Sequence, residues 1–127
     1  MAGFSDYLED KVLDHVFGGN AYTAPSTLYV ALYTVAPTDT GGGTEVSGGA
    51  YARQSVAFTT TGNTTSNSAA VEYPTATSAF GTVTHVGVFD ASTGGNLMAY
   101  ATLSSSKTID TGDVFRVPAG DLDITLD

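Results

Sequence analysis

The sequence predicts an all-β domain, a single β-sandwich of jelly-roll-like type with one short N-terminal amphipathic helix. Three observations lead there. After Pro25 the chain is a series of short runs rich in Val, Tyr, Phe, Thr and Ala, each bounded by Gly, Ser, Asn, Asp or Pro. About six or seven such runs with turn signals between them suit a two-layered sheet fold. Only the segment before Gly18 shows helical spacing of its apolar residues.

The helix is placed at about residues 5–17. Ser5 is a natural N-cap, Asp6, Glu9 and Asp10 fall in the first turns, and Lys11 and His15 lie toward the end, as the helix dipole favours. Phe4, Leu8, Val12 and Val16 form an i, i+4 row, widened by Leu13 and Phe17 into one apolar stripe. Gly18, Gly19 and Asn20 stop it. A helix this short is marginal alone in water, so its stripe must lie on the sheet or on another subunit. Phe4, Leu8, Val12 and Val16 are therefore the candidate interface residues, with packing on the chain's own sheet as the equal alternative.

The strands occupy about residues 27–127. Thr27 to Val35 is apolar on both faces, Leu28, Val30 and Leu32 against Tyr29, Ala31 and Tyr33, as a central strand covered on both sides should be. Ala50 to Phe58 and Ser66 to Tyr73 read as the next strands. Thr82 to Asp90 turns through Ala91 to Gly95 into Asn96 to Leu103, the clearest hairpin signal. Asp113 to Val117 and Asp121 to Leu126 complete the set around the turn at Pro118, Ala119 and Gly120. In the last strand Leu122, Ile124 and Leu126 alternate with Asp121, Asp123, Thr125 and Asp127, which predicts one face on a core and one in water. Its carboxylates would also discourage pairing at an exposed edge.

A chain of 127 residues is the size of one domain. It can bury roughly two-thirds of its unfolded surface, enough for one core and not two. No repeat, linker or shift of composition divides it, so residues 1–127 are expected to form a single domain. Hydrophobic residues make up 42% and charged residues only 13%, which is not the composition of a disordered chain. Lys11, Arg53, Lys107 and Arg116 are the only cations against thirteen acidic residues, giving a formal charge of −9. No basic patch can form, and a nucleic-acid partner is not expected. The first residues lack the basic start and apolar core of a secretory signal. No apolar run approaches the roughly 18 residues of a membrane span, so no membrane partner is expected.

Reactive constellations are sparse. The chain has no cysteine, hence no disulfide, thiolate nucleophile or thiolate metal site. His15 suits a helix C-terminus and His85 lies within a strand, and neither has further His or Cys at metal-ligand spacing. Asp110, Asp113, Asp121, Asp123 and Asp127 lack the loop pattern of a calcium site and read as a solvated acidic face. Paired carboxylates for glycoside cleavage are defined by spatial separation, on which sequence is silent. With no Trp, however, the strongest aromatic platform for sugars is missing. The Gly-rich stretches at residues 41–43 and 48–49 lack the Lys and the strand-to-helix order of a phosphate loop. Tyr22, Tyr29, Tyr33, Tyr51, Tyr73 and Tyr100 suit core edges or interfaces equally. No catalytic residue, cofactor or metal is expected.

Four ordered segments carry a resemblance: SDYLEDKVLDHVFGG, then YTAPSTLYVALYTVAPTDTGGGTEVSGGAYARQSVAF, then NSAAVEYPTATSAFGTVTHVGVFDASTGGNLMAY, and finally GDVFRVPAGDLDITLD. Together they resemble a family of short tailed-bacteriophage virion structural proteins. Members are labelled tail fibre proteins, and chains of similar type and size serve as capsid decoration (cement) proteins. The resemblance runs from Ser5 to Asp127 and is most specific from Tyr29 to Arg53 and from Gly81 to Asp90. It implies a virion location after synthesis in the cytoplasm of a bacterial host, and it brings no catalytic residues.

Two structural functions follow. One is a decoration protein that clamps the major capsid protein of the head shell, as a homo-oligomer at local symmetry axes. The alternative is a tail fibre or tail-associated component that contacts other tail proteins or a host surface. Small size, with no coiled-coil heptad or collagen-like repeat for a shaft, favours the decoration reading at this point. An enzyme acting on host glycan is the third and weakest class, because no site motif is present.

Overall fold

The computed structural model describes residues 3–126. Its strands are β1 (Gly3–Phe4), β2 (Leu28–Val35), β3 (Thr44–Glu45), β4 (Gln54–Val56), β5 (Phe58–Thr61), β6 (Thr64–Asn67), β7 (Val71–Glu72), β8 (Gly81–Phe89), β9 (Leu97–Ile109), β10 (Arg116–Val117) and β11 (Asp123–Thr125). The single helix among the described residues, α1, spans Asp6–Val16 between β1 and β2.

Strand β2 sits where its residues require. Val30, Leu32, Ala31 and Tyr33 are all buried, so both of its faces are covered. Along one edge it pairs antiparallel with β8 from Tyr29↔Phe89 to Tyr33↔His85. Its other edge is shared by β4 and β3. Beyond β8 lies β9, and β1 closes the outer edge, giving the order β1-β9-β8-β2-β3. One face of this sheet carries Val30, Leu32, Val86 and Val88 into the main core. There they meet Val71 of β7, Val117 of β10 and Ile124 of β11, from the two-stranded β10-β7 and three-stranded β11-β6-β5 sheets. The fold is therefore all-β, one large sheet faced by two small ones. On the opposite face Ala31, Tyr33, Phe89 and Leu97 form a smaller cluster with Tyr100.

The β8–β9 hairpin forms as expected and runs further than expected. Asp90 closes the turn by accepting from the Asn96 backbone N–H at 2.7 Å and from Asn96 Nδ2 at 3.0 Å. Gly95 is needed there: at φ 74° a Cβ would also stand 2.6 Å from the Asp90 carboxylate and 2.7 Å from Ala91 Cβ. The pairing then slips. Val83 faces Lys107 and His85 faces Thr102, so Leu103 to Ser106 bulge opposite the one residue Thr84.

Two expected strands are broken. Ala50 to Phe58 resolves into β4 and β5, with Tyr51 and Arg53 turned to other duties. Ser66 to Tyr73 splits into β6 and β7 after the pair Phe58↔Asn67, so the last residue of β6 is Asn67. Its buried side chain donates to the Ala69 and Pro118 carbonyls, each at 2.9 Å, and accepts from the Leu122 N–H at 2.9 Å. The segment Asp113 to Val117 pairs only at β10, and Asp121 to Leu126 only at β11. Leu122 and Ile124 are buried as expected, but Leu126 is 52% exposed, past the end of the β11 pairing. Asp127 lies outside the described residues.

Replacing Asn67 with Ala should therefore strand two carbonyls and an amide in a dry interior. Thermal or urea unfolding of Asn67→Ala is expected to show a loss of about 2 kcal/mol or more, whereas an exposed-site control such as Asn63→Ala should be near neutral.

Candidate functional site

The densest polar cluster lies beside β2 and β3. Arg53 Nε donates to Glu45 Oε2 and Nη2 to Glu45 Oε1, both at 2.9 Å, a bidentate pair. Arg53 Nη1 donates to the Ala91 carbonyl at 3.0 Å and to the Gly94 carbonyl at 2.8 Å. The guanidinium lies 3.7 Å above the Phe89 ring centre. The Tyr51 hydroxyl donates to Glu45 Oε2 at 2.6 Å and accepts from the Leu32 N–H at 3.0 Å. Every nitrogen of Arg53 is thus engaged, and the group ties the turn after β8 and the segment before β4 to the central sheet.

The titration behaviour of this cluster follows its contacts. Burial pushes the Glu45 carboxyl up, but hydrogen bonds from Arg53 and Tyr51 outweigh it and leave the pKa below its ordinary value. Burial and then the bond to Glu45 push the Tyr51 phenol far up. Tyr33 is raised to about 12, by burial first and by the Glu45 charge second. These shifts move each group away from neutral pH, as a structural clamp requires and a proton-transfer site does not.

The other titratable residues of interest also serve local structure. His15 Nδ1 lies 3.1 Å from the Asn20 carbonyl and 3.3 Å from the Tyr22 amide nitrogen, at the exit of α1. His85 Nδ1 is 2.8 Å from Thr84 Oγ1 within β8. Asp113 accepts from the Asp110 N–H at 2.9 Å, and Asp123 from the Ser66 hydroxyl. Among the described residues, no three His, Cys, Asp or Glu side chains stand where one metal ion could bind them. Tyr33 and Tyr73 belong to the core, and Tyr51 stacks on Tyr73 at 6.0 Å between ring centres.

Three surface features remain. The first is a groove of about 900 Å³ between the second half of β9 and residues 114–125. Its lining includes Leu103, Val114, Phe115 and Leu122, with Lys107 and Arg116 beside Asp121 and Asp123. The second is a smaller hollow of about 310 Å³ between the start of α1 and residues 39–42, where Asp39 accepts from the Tyr100 hydroxyl. The third is α1 itself.

Helix α1 is fastened at its first residue. Ser5 is buried; its hydroxyl donates to the Leu97 carbonyl and accepts from the Leu8 N–H at 3.2 Å, while its own N–H donates to the Met98 carbonyl at 2.8 Å. From that anchor the expected stripe divides. Phe4 is not helical: it lies in β1, packed against the main core, and so cannot serve as a free contact residue. Leu8 and Val12 are half-buried toward the body. Val16 is 62% exposed, together with Leu13 at 57% and Phe17 at 82%. The reason is helical geometry: an i, i+4 row drifts about 40° per step, which carries Val16 away from the packed side. The exposed apolar residues are Leu13, Val16 and Phe17, and the row Phe4, Leu8, Val12, Val16 is not one surface. The sequence places all three in the apolar stripe, and a three-and-four spacing from Leu13 sets them apart from the i, i+4 row.

Comparison with known proteins gives the class and then the family. The protein is a structural component of a bacteriophage virion. The family described as Podophage GP4 fiber I protein gp80 matches residues 3–125, nearly the whole chain, and the chain belongs to that family. No curated protein matches it. The match is to a fibre family, so it supports the tail fibre alternative better than the head-decoration reading that small size had favoured.

The clamp has a measurable pH signature. The folded pKa of Glu45 is below its ordinary value of 4.5, so its contribution is full above that value and disappears as pH falls through the folded one. Glu45→Gln is expected to cost about 3 kcal/mol at neutral pH, because Arg53 loses its charge partner. The loss should shrink in acid, below the ordinary glutamate range, and urea unfolding at a series of pH values reads both effects.

Proposed function

We propose that this chain is a short fibre component of the tail apparatus, that it holds its place by protein–protein contact, and that it performs no catalysis. The observation that carries the reading is the fibre-family match across residues 3–125. The protein it would join is another tail protein of the same virion, together with further copies of itself. Nucleic acid and membrane are poor partners for a chain with four cations and thirteen carboxylates.

The fold supports a contact role in a specific way. A block of antiparallel sheet with a part-buried polar clamp beside its central strand presents a rigid outline, and rigid surfaces lose little entropy on docking. Abundant Thr and Ser with few charges lower the desolvation cost of that docking. A domain of this size gives a compact module and not a long shaft, so any fibre it enters is built from repeated contacts, each modest and strong in combination. The head-decoration reading keeps one supporting feature, the same compact size.

Antibody-gold labelling of intact particles separates the two. Gold is expected at the tail; gold spread over the head lattice would replace the fibre reading with decoration. Purified protein incubated with host surface polysaccharide is expected to release no new reducing ends, and their release would establish an enzyme instead.

A further inference from the structure

We propose that copies of this chain join head to tail, with the outward end of α1 from one copy seated in the groove beside β9 of the next. The inference rests on the fibre reading for its biological setting only; its physical basis is the match between two surfaces of one chain.

The first surface is the end of α1. Leu13, Val16 and Phe17 are 57%, 62% and 82% exposed, and their spacing puts them on one outward face. Exposed Asp10 and Asp14 flank them. Three exposed large apolar residues gathered at one helix end form a patch, unlike apolar residues exposed singly. Of the other exposed large apolar residues among the described ones, Val114 lies on the groove, and only Val35 and Leu126 fall elsewhere.

The second surface is the groove. At about 900 Å³ it is large enough for apolar side chains from a helix, and Leu103, Phe115 and Leu122 contribute to its lining. Its charge is what selects the occupant. Of the four cations, Arg53 is spent on Glu45 and two carbonyls, and Lys11 lies 5.6 Å from the Tyr7 ring centre. The other two, Lys107 and Arg116, both line this groove. With a net charge of −9, two copies repel one another overall. The groove is where carboxylates such as Asp10 and Asp14 find positive partners. Asp121 and Asp123 on the same groove repel the acidic helix from the other side and so restrict it to one orientation.

The contact cannot form within one chain. Ser5 holds the start of α1 to Leu97 and Met98 in the first half of β9, whereas the groove runs along the second half, where β9 has no partner on its outer edge among the described residues. Helix and groove are different surfaces, so the association is heterologous, closing into a ring or continuing as a string.

Sedimentation velocity on the purified full chain tests this. The native protein is expected to self-associate. Phe17→Asp, or the milder Leu13→Ser, and separately Lys107→Glu with Arg116→Glu, should each weaken assembly roughly tenfold or more while far-UV circular dichroism stays native. The decisive sample is an equimolar mixture of Phe17→Asp with the groove double variant. One retains a groove and the other a helix, so the mixture should stop at a one-to-one dimer. Adding Asp10→Lys and Asp14→Lys to the groove double variant should restore self-association. A native protein that stays monomeric to its solubility limit, variants that assemble like the native chain, or a mixture that remains monomeric would overturn the proposal. Tail labelling of particles is independent of all three results, so the fibre reading stands or falls separately.

Discussion

Four positive charges serve thirteen carboxylates in this chain, and where those four are placed organises much of its architecture. Arg53 is the most consequential. Its fork is matched by both oxygens of Glu45, its remaining donors by the Ala91 and Gly94 carbonyls, and its flat face by the Phe89 ring. A buried guanidinium is tolerable only when its donors are satisfied in this way. Once satisfied, it fixes in one step the loop between β8 and β9, the segment carrying Tyr51, and the outer face of the central sheet.

Tyrosine hydroxyls extend that network into the core. Tyr51 caps the Leu32 N–H of the central strand, and Tyr73 donates to the Val30 carbonyl at 2.5 Å. Their rings stack on one another, Tyr51 edge-on to Phe80 and Tyr73 edge-on to Phe115. Among the described residues no buried side-chain nitrogen or oxygen lacks a partner. A core with its polar atoms this fully paired resists rearrangement, because any alternative packing would leave one of them dry and unpaired. Rigidity of this kind suits a virion component whose surfaces must keep their shape through assembly.

The helix illustrates how a small geometric fact redirects function. Ser5 fixes where α1 begins and at what angle it leaves the sheet edge. With the first turn held, the drift of an i, i+4 row decides that Leu8 and Val12 face the body and that Val16, with Leu13 and Phe17, does not. Apolar residues at the free end of an acidic helix then lie on the surface of the chain and not in its core.

Local pattern alone determined several features. The helix and its cap, the doubly covered strand from Leu28 to Val35, the β8–β9 hairpin and the inward Leu122 and Ile124 are all written in periodicity and turn chemistry, because each depends on neighbours close in sequence. The tertiary structure decided the rest. Tyr51 and Arg53 stay out of the strand that their stretch predicts, and Asn67 ends β6, since their side-chain partners lie on segments remote in sequence and those bonds outweigh local propensity. Strand β1 is only two residues long and exists because β9 offers it an edge. Which apolar helix residues face outward, and that Lys107 and Arg116 share one groove, follow from how separate segments meet in space, something spacing along the chain does not encode.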